Sequence, residues 1–313
     1  MIRIATARSY ASALLNIQTG QVRVDKALQE VGTTKKGDDL KAFAARAETL
    51  IASRNIEVRT QTHIDNNQAL KARLGIQDQA LGRVVAGANA AVAAVTKALA
   101  NNDGGAVMAE LQAAMSQAIS GLNTAYSGGY LFSGGAVDTP PVSLTQIQDL
   151  GVETIPPAVP PPRPDPFANG KLAVQSRLDD TNVVTTGVLA DDLAAPLFDA
   201  LGDLAEFPDK SFGAPMTAEQ HDFLSGLLSK LTGAAAHAVD AQAKNGAIQA
   251  QVEQTVKALT DRKDMVASLI GDIVDADPIE AASRLSMAQT ALQASAEAFN
   301  VLHQSSLLNF LKR

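Results

Sequence analysis

Apolar residues recur every three or four positions at both ends of this chain and lose that rhythm in the middle. From Ala7 onward, Tyr10, Leu14, Ile17, Val24, Leu28 and Val31 fall on one heptad seam interrupted by Gln21. That spacing puts them on one face of a helix that meets another helix. The stretch VGTTKKGDDL, with glycines at 32 and 37, breaks the pattern. A second predicted helix runs from about Leu40 to Ala100, with Leu74, Leu81, Val84, Ala88, Val95 and Leu99 on the seam of its later half. NNDGG at 101–105 is a turn signal, and a third helix follows with Met108, Leu111, Met115, Ala118 and Leu122 on its stripe.

The middle changes character. IPPAVPPPRPDP, from Ile155 to Pro166, holds more than half of the chain's 13 prolines. Proline removes the backbone donor and fixes φ, so this stretch reads as an extended linker or exposed loop. A ligand for a proline-recognising domain is the alternative. KLAVQSRLDD and TNVVTTGVLADD read as a hairpin of short strands around Asp179–Asn182. Helix returns at LAAPLFDALGDLAEF and again at Thr217, where Thr217 and Gln220 form a predicted capping box. The seam to about Val274 runs through Ile248, Val252, Thr255, Leu259, Arg262, Val266, Leu269 and Ile273. Asp277 as N-cap, Pro278 at the first helical position and Glu280 start the last helix. Its seam is Leu285, Ala288, Leu292, Ser295, Phe299, Leu302 and Ser306.

The two ends have similar patterns and helix lengths, so they are expected to pair antiparallel. The predicted fold is mainly α: a long antiparallel helical rod, or coiled-coil bundle, formed by the N- and C-terminal segments. A smaller middle domain, β-containing and irregular, is inserted at its distal end. The segments are 1–38 (N-terminal assembly helix), 39–135 (first half of the rod), 136–216 (outward-facing middle), 217–276 (second half) and 277–313 (C-terminal assembly helix). Composition sharpens this picture. The chain of 313 residues is 46% hydrophobic but only 4% aromatic, without tryptophan. Alanine favours helix and close helix approach yet buries little area. Ordering a terminal segment of about 30 residues costs on the order of 30–60 kcal/mol of conformational entropy. A lone terminal helix cannot offset that, so the terminal seams, 1–38 above all, are expected to order only in an assembly.

Candidate chemistry changes little. A net charge of −7 argues against a nucleic-acid partner, whose phosphates reward a basic surface. Cysteine is absent, which removes thiolate and disulfide chemistry. The N-terminus lacks the unbroken apolar core of a secretory signal, and no run approaches the ~20 apolar residues of a membrane span. His63, His221, His237 and His303 are scattered without metal-ligand spacing. Asp179–Asp180 and Asp191–Asp192 read as turn and helix-start residues. Neither SGGYLFSGG nor NGKL completes a phosphate loop, and GxSxG does not occur. The sequence therefore points to no catalytic residue, metal, cofactor, nucleic acid or membrane.

One motif stands apart. NTAYSGGYLFSGG, residues 123–135, places two of the three tyrosines beside Phe132 among four glycines. The ending ASRLSMAQTALQASAEAFNVLHQSSLLNFLKR resembles that of the bacterial flagellin superfamily, and in particular its FlgL-type hook–filament junction proteins. The first 39 residues are similar to the family's N-terminal helix and following turn, though the turn TTKKGDD is shorter than the usual form. QDQALGRVVAGANAAVAAVTKALANND resembles the next helix, and NTAYSGGYLFSGG the turn closing the N-terminal half. The resemblance covers about 1–135 and 217–313, and nothing in the middle matches.

It implies a non-enzymatic axial protein of the extracellular flagellum, exported unfolded through the flagellar type III apparatus. The implied partners are further copies of itself in a ring or helix, a neighbouring hook-associated protein, flagellin, and an export chaperone at the C-terminal helix. Two alternatives remain: a filament-forming flagellin, and a surface protein binding a glycan or host molecule through its middle. Leu14, Ile17, Val24, Leu28, Leu285, Leu292, Phe299, Leu302, Leu307 and Leu308 are the expected assembly seams. Tyr126, Gly128, Gly129, Tyr130, Phe132 and Gly134 are the expected rod-end turn, its aromatics plugging the end of the rod.

Overall fold

Six α-helices carry the described part of the chain: α1 (Ile2–Thr33), α2 (Ala47–Asn101), α3 (Val107–Leu122), α4 (Ala190–Glu206), α5 (Ala218–Val274) and α6 (Pro278–Leu311). Two antiparallel strand pairs join them, β1 (Ala125–Tyr126) with β2 (Gly129–Tyr130) and β3 (Gln175–Arg177) with β4 (Val183–Thr185). Short 3-10 turns occupy Leu40–Arg46 and Ile147–Leu150. The computed structural model describes residues 2–37, 40–151, 163–208 and 211–311, with backbone only at 2–7, 41, 42, 44 and 305–311. The fold is mainly α, as the periodicity predicts. The predicted hairpin around Asp179–Asn182 is β3–β4. The expected proline loop falls mostly outside the described residues, from 152 to 162.

The chain forms two compact units, one of residues 1–61 with 260–313 and the other of 62–259, with boundaries inside α2 and α5. In the second unit, α5 buries Leu224, Leu231, Ala238, Asn245, Val252 and Leu259 at seven-residue steps. α2 does the same with Asn67, Leu74, Leu81, Ala88 and Val95. A seven-residue repeat keeps one seam facing a neighbouring helix along its length. Val266 and Ile273 continue the α5 repeat in the first unit. Arg262 and Leu269, expected on that seam, are exposed instead. Once every seventh residue is fixed inward, the intervening inward position moves from i+3 to i+4, to the half-buried Lys263 and Ile270.

The core of the second unit is shared by α2, α3, α4 and α5. Residues of the 136–216 segment contribute to it directly, through Val142, Ile147, Leu150 and the apolar face of α4. Two glycines let α3 lie on the backbone of α2. A Cβ at Gly121 would come within 2.7 Å of the Ala80 carbonyl oxygen and 2.8 Å of Val84, and one at Gly87 within 2.7 Å of the Ala114 carbonyl oxygen. An 18-residue window of α2 is apolar enough by composition to cross a membrane, and its Val95 and Ala98 belong to this core.

Extended segments are fastened to the helices by side-chain amides. Gln112 donates to the Thr145 carbonyl at 2.7 Å and accepts from the Ile147 amide at 2.9 Å. Asn123 treats Val142 the same way, donating at 2.8 Å and accepting at 3.0 Å. Across β3–β4, Asn67 donates to the Leu178 carbonyl at 2.6 Å and Gln77 to the Thr186 carbonyl at 3.1 Å. Gln77 also donates to Asn245 at 3.0 Å, which in turn donates to the Leu74 carbonyl at 3.2 Å. A small apolar cluster of Leu74, Leu178 and Val252 lies between these bonds.

Local signals at helix starts hold. Thr217 and Gln220 exchange the two bonds of a capping box at 3.0 and 3.2 Å. Asp277 accepts from the Ile279 and Glu280 amides ahead of α6. In the β3–β4 turn, the Asp179 carboxylate accepts from the Thr181 and Asn182 amides, each at 2.7 Å. The Thr181 bond is the main reason its pKa is lowered to about 2.

Replacing Gly121 with alanine is expected to cost about 1–3 kcal/mol by forcing α2 and α3 apart. At Gly75, where an added Cβ meets nothing within 4 Å, the same change should instead stabilise by about 0.5–1 kcal/mol. Urea unfolding of the two variants reads the opposite signs. The Thr181 and Asn182 amide shifts should titrate with a midpoint near 2, well below the ordinary carboxylate value of about 4. A lowered pKa means that this turn's contribution is complete above the ordinary range and is lost as pH falls through about 2. A midpoint near the ordinary value would show that the turn bonds do not persist in solution.

Candidate functional site

The chain's two ends meet in the first unit, where α1 and α6 pack against each other. The pairing is antiparallel. The Tyr10 hydroxyl donates to the Leu302 carbonyl at 3.3 Å, and its ring meets Phe299 edge-on with centroids 5.7 Å apart. Midway, a Cβ at Gly20 would lie 3.0 Å from Leu292 Cδ1. Further along, Glu30 pairs with Arg284 at 3.2 Å. At the base, the Lys36 amide donates to the Val274 carbonyl and the Ala276 amide to the Thr34 carbonyl. Thr34, at φ 56°, turns the chain out of α1. Phe43, Leu50, Ile273 and Val274 form the apolar cluster of this unit.

On α6 the inward residues include the predicted Leu285, Leu292, Phe299 and Leu302, all half-buried. On α1 the prediction divides. Ile17 and Val24 are half-buried, but Leu14 and Leu28 are each 51% exposed. Their expected places are taken by the half-buried Ala13 and the buried Ala27, and buried Gly20 fills the place of Gln21. The α1 seam therefore steps Tyr10, Ala13, Ile17, Gly20, Val24, Ala27. The small residues let the α6 side chains reach the α1 backbone, which leaves the leucines outside. Leu15 and Val22 are exposed as well. Leu307 and Leu308 lie outside the residues with described side chains.

The glycine-rich turn also divides. Ser127 and Gly128, at φ 54° and 88°, make the tight turn between β1 and β2, the left-handed geometry that suits a two-residue hairpin. Tyr126, Gly128, Gly129 and Tyr130 line a surface cleft with Arg73 and Val137. Phe132 points the other way and is fully buried in the core of the second unit, and its carbonyl accepts from the Ala190 amide at the start of α4. Gly134, at φ 58°, packs so tightly that an added Cβ would lie 2.6 Å from the Gly170 carbonyl oxygen. The motif does not set its aromatics together as a plug. It buries the phenylalanine and leaves the tyrosines on a surface cleft.

Among the described residues no cluster of three His, Cys, Asp or Glu side chains could hold a metal. His63 contacts Asp180 at 3.1 Å, and His237 donates to the Asp192 carbonyl at 2.7 Å. One charged group escaped the sequence reading. Arg163 bridges Asp203 at 3.1 Å and Glu206 at 2.8 Å, its guanidinium lying over Gly202. The Arg163 hydrogen bond is the main cause holding the Glu206 carboxyl below its ordinary range. Its neighbours give it the role of a clamp on α4. A lone arginine in a proline-rich stretch carries no periodic signal of that role.

Residues 228–311, most of α5 and all of α6, match the family of the bacterial flagellin C-terminal helical region. The crystal structure of FlgL from Bacillus cereus has a TM-score of 0.53, covering 71% of this chain and 99% of that one at 16% identity. A flagellar hook-associated protein from Vibrio parahaemolyticus has a TM-score of 0.55, over 73% and 97% respectively at 14% identity. The fold is FlgL-like, and the C-terminal helices carry the flagellin match. No curated protein matches the sequence.

The flagellin match includes the α6 seam that receives α1. At these identities the FlgL likeness carries the arrangement of helices and leaves the roles of individual residues to this chain's own chemistry.

Replacing Gly20 with leucine should push α1 off Leu292 and open the terminal hairpin. Limited proteolysis is then expected to remove α1 and α6 several-fold faster than in the unaltered chain, with residues 62–259 surviving at an unchanged rate. Equal cleavage rates would show that the close α1–α6 contact does not hold these helices.

Proposed function

We propose that this chain is a flagellin-family junction adaptor that links the flagellar hook to the filament. The supporting observation is the terminal α1–α6 hairpin, whose small-residue seam is spent within the chain while Leu14, Leu15, Val22 and Leu28 face outward. Large apolar residues in a row on an exposed helix face suit burial against neighbouring subunits. The likeness to FlgL and to a hook-associated protein favours the junction over other axial positions. On this reading residues 1–38 and 277–313 are the assembly segments and 136–216 faces outward. The chain travels unfolded through the type III apparatus and its terminal segments order fully on assembly. Its neighbours are further copies of itself, another hook-associated protein and flagellin, with a chaperone holding the C-terminal helix before export.

The match to the flagellin C-terminal region favours a second reading, a filament subunit. Deletion of the gene separates the two. Bare hooks with flagellin lost to the medium are expected for a junction adaptor. Hooks with no flagellin outside would identify the filament subunit, and normal filaments would sink both. Within the junction reading, Leu292→Glu or Phe299→Glu should abolish complementation of the deletion while the exported protein still reaches the medium.

A further inference from the structure

A groove of about 440 Å³ runs along the terminal hairpin between α1 and α6. Arg23 and Lys26 border it on α1, and Arg284 and Met287 on α6, with the small Ala288 and Ala291 along it. Its only carboxylate, Glu30, is already paired with Arg284. Arg23 and Lys26 are exposed and make no ion pair or side-chain hydrogen bond among the described residues, and Met287 is 62% exposed. The alanines keep the groove shallow enough for a helix to lie in, and the basic lip suits an acidic one.

Such a helix face exists on the same unit. On α5, Asp261, Asp264, Met265 and Asp272 are exposed on the side away from Val266 and Ile273. The three carboxylates make no ion pair among the described residues. From Asp261 to Asp272 the face is about 16 Å long at about 1.5 Å per residue. The groove from Arg23 to Glu30 runs about 10 Å by the same rise.

We propose that the Arg23–Lys26–Met287 groove receives the Asp261–Asp264–Asp272 face of α5 from a second copy of this chain. Resting on the axial-assembly reading, this names the two surfaces that meet. They are different patches meeting head to tail, a heterologous contact that leaves each pair of copies with one free groove and one free acidic face. Such a contact propagates into a ring or helix and does not stop at a dimer. Close charge pairs across an interface steer encounter and fix register, and reversing them turns attraction into repulsion.

Charge exchange tests this. In a strain lacking the gene, R23E/K26E and D261K/D264K should each reduce hook-attached filaments by about tenfold or more, while the exported chain still appears in the medium. Expressed together the two variants should restore attachment, because each then supplies the surface that complements the other. Failure of co-expression to restore, or full function of either variant alone, overturns the proposal. The chain has no cysteine, so a second measurement on the purified full-length protein is clean. With Lys26→Cys and Asp264→Cys in one chain, a short thiol cross-linker should give a ladder beyond the dimer at high protein concentration. Either single variant should give at most a weak dimer. No ladder, or equal dimers from the single variants, also overturns the proposed contact. The axial-assembly reading is judged separately by the deletion phenotype.

Discussion

The structure depends on side-chain amides that stand in for a β-sheet. An extended segment carries unpaired backbone donors and acceptors, and burying them without partners costs more than any single apolar contact returns. The described sheets are only two strands each, so the helices supply the missing partners. Gln112 and Asn123 each bind one carbonyl and one amide of the 142–147 segment, as a neighbouring strand would. Asn67 and Gln77 hold the two edges of the β3–β4 hairpin against the long helices. These bonds admit Val142, Ile147, Leu150 and Leu178 to apolar clusters that an alanine-rich helix pair is too thin to build alone.

The same bonds mark the boundary of what the sequence discloses. Heptad spacing recovers the helices because their burial repeats every seven residues along one chain, and caps such as Thr217 and Asp277 are read from neighbours three positions away. The amide bonds join residues tens to more than a hundred positions apart, and no local period records them. A polar residue inside a seam also reads as an interruption. Gln21 is one, facing out, whereas Asn67 and Asn245 are full members of their seams. Only the fate of their amides distinguishes the cases. The common core that binds 136–216 to the helices was therefore out of reach, although its hairpin was legible from alternation and turn residues.

The α1 seam shows a different limit. Counting bulky residues favours Leu14 and Leu28, one position away from the residues that pack. Where α1 meets α6 closely, the inward positions belong to Gly20 and Ala27, because a leucine there would collide with Leu292 or hold the helices apart. Hydrophobic weight and inward direction part company whenever two helices approach through small residues. The tyrosines and the phenylalanine of the glycine-rich motif also part, the tyrosines onto a surface cleft and Phe132 into the core, and composition is silent about that direction.

A small-residue seam has a thermodynamic consequence for an assembling chain. It buries little area per turn, so the α1–α6 pair contributes modestly to the stability of an isolated subunit. Anything that binds the paired form and leaves the open form alone adds its binding free energy to the pairing. On the proposed function, neighbouring subunits are that ligand, and the leucines left outside are the surface they cover. A bulky private core between α1 and α6 would consume those leucines and stabilise the lone subunit, weakening the dependence on neighbours. An adaptor that must pass through a narrow export path and become firm only at its destination is better served by the thin seam, because its last increment of stability then arrives with the contact that places it.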